Sequence, residues 1–110
     1  MIDNAPEIVS RYMRAAEAKD AKAIAGCFAP DGTVLDEGVT YHGRDEIIGW
    51  RENAVSRWTY TLAVTGSQAV SPAEHRLSVH LEGDFPGGVA DLTYDFAIHD
   101  GVITALRIVG

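Results

Sequence analysis

The chain has 110 residues, 46% of them hydrophobic and 23% charged, with a formal charge of −7. That length suits one domain around one core. The acidic balance argues against a nucleic-acid groove, and no apolar run is long enough to cross a bilayer.

The opening MIDNAPEIVS lacks a basic stretch followed by an apolar one, so no secretory signal is expected and a cytoplasmic location is. Ile8, Val9, Tyr12, Met13 and Ala16 then recur at helical spacing, opposite Glu7, Arg11, Arg14 and Glu17. Asp3 or Asn4 is the expected cap of this first helix, and Pro6 suits its first turn. Asp20 is placed to cap a short second helix through Ile24, Cys27 and Phe28, which Pro30-Asp31-Gly32 ends with turn chemistry. A strand is predicted from Thr33 to Glu37, and a loop or irregular hairpin from Gly38 to Gly43. Arg44 begins a third helix, with Ile47, Trp50, Ala54 and Trp58 inward and Glu46, Arg51, Glu52 and Arg57 outward.

Beyond Trp58 the period drops to two. Tyr60, Leu62 and Val64 alternate with smaller residues, as do Leu77, Val79 and Leu81, and then Leu92, Tyr94, Phe96 and Ile98. Ser71-Pro72, Phe85-Pro86-Gly87-Gly88 and Asp100-Gly101 mark the turns, and Val102 to Val109 is the last strand. Helices followed by four antiparallel strands give an α+β architecture, a curved sheet with one face on the helices. The opposite face carries Arg76, His80, Asp91 and Asp95, and is either solvated or a dimer interface.

Asp36 is the main pointer to chemistry. It lies on the same side of its strand as Val34, the side expected to face the core. A carboxylate aimed at apolar walls is costly unless it is paired, protonated or used. Tyr12, on the apolar stripe of the first helix, is placed so that its hydroxyl could reach the same space. Cys27 is the single cysteine, so it forms no internal disulfide, and its apolar setting reads as a buried structural thiol. His75 and His80 face opposite sides of one strand, and His42 and His99 lie elsewhere, so no metal-ligand spacing is present. GDFPGG joins two strands and reads as a turn with Phe85 as a plug, not a phosphate cradle.

Three stretches, RYMRAAEAKDAKAIAGCFAPDGTVLDEG, YHGRDEIIGW and YDFAIHDGVITALRI, together resemble the nuclear-transport-factor-2-like superfamily. The likeness is to its SnoaL-like polyketide cyclases and ketosteroid isomerases. The resemblance implies a single domain over residues 1–110, cone-shaped, with a curved antiparallel sheet packed against three N-terminal helices. It also implies that Asp36 is a general base and Tyr12 an oxyanion-hole donor. A second donor falls on Asp95 in an ungapped reading from the hairpin and on Tyr94 when the alternation is matched; the alternation puts Tyr94 inward and Asp95 outward. Glu37 follows the base where the family usually has proline. Trp50, Trp58, Tyr60, Phe85 and Phe96 are expected to shape the pocket, with His42 at its mouth. The expected activity is cofactor-free isomerase, cyclase or dehydratase chemistry on a hydrophobic small molecule, in a homodimer with no metal. The alternatives are a non-catalytic ligand-binding module, or a dimeric interaction domain whose cone is filled by its own side chains.

Overall fold

Pro6 presets the backbone for helix entry, and α1 (Glu7–Glu17) follows it in the computed structural model, which describes residues 5–110. The expected caps Asp3 and Asn4 lie outside the described residues. The stripe of α1 buries Ile8, Val9 and Tyr12. α2 (Ala21–Gly26) starts on Asp20, whose carboxylate accepts the Ala23 N–H at 3.0 Å. That bond satisfies one of the free donors of a first turn.

β1 (Phe28–Asp36) begins earlier than expected. Pro30-Asp31-Gly32 is not a terminating turn but an irregularity inside the strand, where the register shifts between Phe28 and Thr33. Proline and glycine fit a bulge for the same reasons that they fit a turn. The segment read as a loop or irregular hairpin is a regular hairpin. Glu37 and Gly38 both have positive φ, 52° and 76°, and bring β2 (Val39–His42) back with Val39 opposite Asp36. Positive φ at both central residues matches the twist of the flanking strands.

α3 (Arg44–Gly49) continues as a π-helical segment, Trp50–Val55. Here the expectation that Arg51 faces outward is corrected: Arg51 is only 9% exposed, beside Trp50 at 1%. Hydrogen bonds that span five residues widen the turn, so consecutive side chains are rotated less about the axis. Two neighbours can then share the inner side.

β3 (Tyr60–Ser71), β4 (Glu74–Gly83), β5 (Val89–His99) and β6 (Val102–Val109) form the antiparallel meander. The sheet order is β2-β1-β6-β5-β4-β3, with β1 and β6 parallel. The sheet is therefore mixed, not wholly antiparallel. α3 and four strands separate β1 from β6 along the chain, which gives the long crossover a parallel pair requires. β2 and β3 are the open edges, and the curved sheet does not close. On edge strand β3, Val64 is exposed, just before the pairing with β4 shifts at Gly66.

The inner face packs Val34, Leu77, Phe96 and Leu106 against Tyr12, Ile24, Ile47 and Trp50 of the helices. Tyr94 is buried with Phe96, whereas Asp95 points outward and bonds the Arg76 Nε at 2.6 Å. Among the described residues, no helix is long and apolar enough to cross a membrane.

Candidate functional site

Asp36 ends β1, flanked in register by Val39 of β2 and Ile108 of β6. The Trp50 Nε1–H donates to its Oδ2 at 3.0 Å, and the Glu37 backbone N–H also bonds the side chain. Burial pushes the Asp36 carboxyl above its ordinary value. The Trp50 hydrogen bond opposes that shift, the Glu37 carboxylate adds to it, and the Arg51 charge opposes it. The balance leaves a carboxyl that holds its proton more tightly than a solvated aspartate.

A cavity of about 440 Å³ opens beside this carboxyl, so the cone is not filled by its own side chains. Of the expected pocket residues, Trp50, Trp58, Tyr60, Phe85 and Tyr94 line it together with Asp36. Leu81, Leu92 and Ile108 supply aliphatic wall. The turn carrying Phe85 is tied to the chain beside Trp58: Asp84 Oδ1 accepts the Thr59 N–H at 2.8 Å, and the Asp84 N–H donates to the Thr59 carbonyl at 3.1 Å.

Tyr12, Phe96 and His42 do not line the cavity. Tyr12 is fully buried behind the wall, edge-on to Phe96 at 5.4 Å and to Phe28 at 6.1 Å. Its hydroxyl has no hydrogen-bond partner among the described residues. Burial drives the Tyr12 proton above the usual phenol range, with Arg51 opposing and Tyr60 and Asp36 adding. Tyr94 is shifted the same way, mainly by burial and then by Tyr12 and Tyr60. His42 is exposed on β2, its backbone N–H on Glu46 Oε1 at 2.8 Å.

Sequence reasoning missed two features. One is the hydrogen bond between Trp50 and Asp36, which joins residues that no motif couples. The other is Arg51, whose guanidinium lies over the Trp50 ring at 5.3 Å and forms part of the cavity wall. A second concavity of about 680 Å³ lies between the α1–α2 turn and the end of the third helix, and it shares Arg51, Val55, Trp58 and Tyr60 with the first. It is the larger, but Asp36 and Tyr94 line only the smaller, where acid–base groups meet apolar walls. Cys27 is buried, with its thiol on the Ala23 carbonyl at 3.4 Å. No group of three or more His, Cys, Asp or Glu among the described residues is placed to hold a metal ion.

Residues 3–101 match the SnoaL-like domain family. A crystal structure from Sinorhizobium meliloti, provisionally named a polyketide cyclase, superposes with a TM-score of 0.89 at 34% identity, covering 96% of each chain. A Mycobacterium tuberculosis protein solved with estradiol-17β-hemisuccinate gives a TM-score of 0.78 at 16% identity, over 94% of this chain and 91% of that one. The Δ5-3-ketosteroid isomerase of a Mycobacterium species gives 0.76 at 18%, over 94% and 90%. At those lower identities the likeness is one of fold. No curated protein matches the sequence significantly.

Proposed function

Because the chain belongs to the SnoaL-like family, we propose that it binds an apolar carbonyl compound beside Asp36 and moves a proton on it without a cofactor. The observation that carries this reading is a half-buried carboxyl, hydrogen-bonded by Trp50 and pushed above its ordinary value by burial, at the wall of an apolar cavity. A general base works best when its pKa approaches the working pH, and desolvation is the usual means. In the proposed step, the Asp36 carboxylate takes a proton from the carbon next to the ligand carbonyl. The C–H electron pair moves into the new double bond, and charge gathers on the carbonyl oxygen. The Tyr94 hydroxyl is the proposed first donor to that oxygen, since Tyr94 lines the cavity. Tyr12, one layer behind with an unpartnered hydroxyl, is the proposed second donor, reached when the wall shifts. Return of the proton to another carbon completes an isomerisation; attack of the enolate on a second carbonyl completes a ring closure.

The polyketide cyclase name of the S. meliloti protein and the steroid ligand of the M. tuberculosis protein fit this substrate class. Proton–deuterium exchange into a panel of cyclic ketones and enones tests the reading. Exchange is expected with the wild type and is expected to fall by about 10²–10⁴-fold in Asp36→Asn. Ligand binding with no exchange in the wild type would leave a binding module instead. We also propose that two copies pair through the outer sheet face, which a monomeric mass in sedimentation equilibrium would overturn.

A further inference from the structure

Arg51 is the one arginine among the described residues that folding buries, and it carries no carboxylate partner there. Its guanidinium lies over the face of the Trp50 ring. A guanidinium has five donors, and those of Arg51 have no side-chain acceptor among the described residues while the residue lines open space on two sides. Arg51 lies between the two concavities and lines both.

The second concavity differs in character from the Asp36 cavity. Both lysines of the chain, Lys19 and Lys22, line it, on a protein whose formal charge is −7. Its acids are Asp20 and Glu52. Asp20 is already engaged at the Ala23 N–H that caps α2. On the other side of Arg51, the charged groups of the Asp36 cavity are Asp36 itself and Glu37 with Arg57, which pair at 3.8 Å. The two concavities therefore adjoin at Arg51, with apolar walls and the Asp36 carboxyl on one side and the two lysines on the other.

We propose that the ligand is an organic anion, with its apolar body in the Asp36 cavity and a carboxylate, sulfonate or phosphate head on Arg51 facing Lys19 and Lys22. This rests on the reading of the Asp36 cavity as a ligand site and narrows its substrate class. The head lies on the vestibule side of Arg51, across the guanidinium from the Asp36 carboxyl.

Two fluorescent probes of matched shape test the proposal: 1-anilinonaphthalene-8-sulfonate, an anion, and N-phenyl-1-naphthylamine, its neutral counterpart. The wild type is expected to bind the sulfonate about tenfold or more tightly than the neutral probe, the scale of one charge-assisted contact. Arg51→Gln is expected to erase that preference while leaving the neutral probe within about twofold, and Arg51→Lys to keep part of it. Lys19→Gln/Lys22→Gln changes only exposed side chains, so it folds even if Arg51→Gln does not, and is expected to weaken the sulfonate by about two- to threefold. Equal binding of the two probes to the wild type would overturn the proposal, and so would an Arg51→Gln protein that loses both equally. An Arg51→Gln protein that keeps the preference would do the same and leave Arg51 as a counter-charge to Asp36 alone. If the preference is found but no ketone exchanges, the chemistry assigned to Asp36 fails and the anion site stands. If neither probe binds, both fail.

Discussion

Asp36 and Trp50 lie fourteen positions apart in the chain and meet at 3.0 Å. The indole N–H favours the carboxylate, while burial favours the acid, and burial is the larger. Folding therefore binds the Asp36 proton more tightly than the unfolded chain does. The sign for stability follows: this contribution is complete below the ordinary value of 3.8 and is lost as pH rises through the raised one. Asp36→Asn is uncharged throughout, so its Tm is expected to exceed that of the wild type at pH 7, with the gain vanishing toward pH 3. A lower Tm at pH 7 would mean that the carboxylate is a stabilising partner and not a strained base. At this scale the sequence was partly legible. Val34 and the period of two placed Asp36 inward, and Tyr94, Phe96 and Ile98 settled Tyr94 over Asp95. Arg51 was not legible, because its direction depends on a π-helical turn that leaves no periodic signature in WRENAV.

The elements explain why the site has a fixed rim. Gly83 ends β4 opposite Tyr60 of β3. A Cβ there would collide with the Thr59 carbonyl oxygen and come within 2.6 Å of the Tyr60 Cβ. Tyr60 lines the cavity, and Thr59 is the residue clasped by Asp84, so the two strands approach closely where they carry pocket residues. Gly83→Ala is expected to destabilise the fold by about 1–3 kcal/mol, the scale of overpacking, read from the midpoint of urea unfolding. An unchanged midpoint would show that the rim can part without cost. The helices and the meander were readable because periods of 3.6 and 2 are local signals. The β1–β2 hairpin was one of two readings of Gly38 to Gly43, and the bulge in β1 was not read at all, since Pro30-Asp31-Gly32 suits a turn and a bulge equally. The parallel pairing of β1 with β6 joins residues about seventy positions apart, beyond any local pattern.

Across the whole molecule, charge is sorted by face. The outer sheet surface pairs its charges internally: Asp95 with Arg76 and Arg107, and His80 with Asp91 at 2.7 Å and Glu82 at 2.9 Å. The cavity side pairs Glu37 with Arg57 but, among the described residues, keeps Arg51 without a carboxylate and Asp36 without a cationic hydrogen-bond partner. Two charged groups without an ion-pair partner beside a cavity are what support the proposed ligand site there. A fold shared by isomerases, cyclases and binders does not choose among them; the state of one carboxyl does. The direct measurement is the Asp36 carboxyl pKa by carbon NMR titration, with the signal assigned through Asp36→Asn. The account predicts a value clearly above 3.8, rising further in Trp50→Phe as the indole hydrogen bond is lost. A value at or below 3.8 would describe a solvated strand-end acid and contradict the assignment of Asp36 as a base.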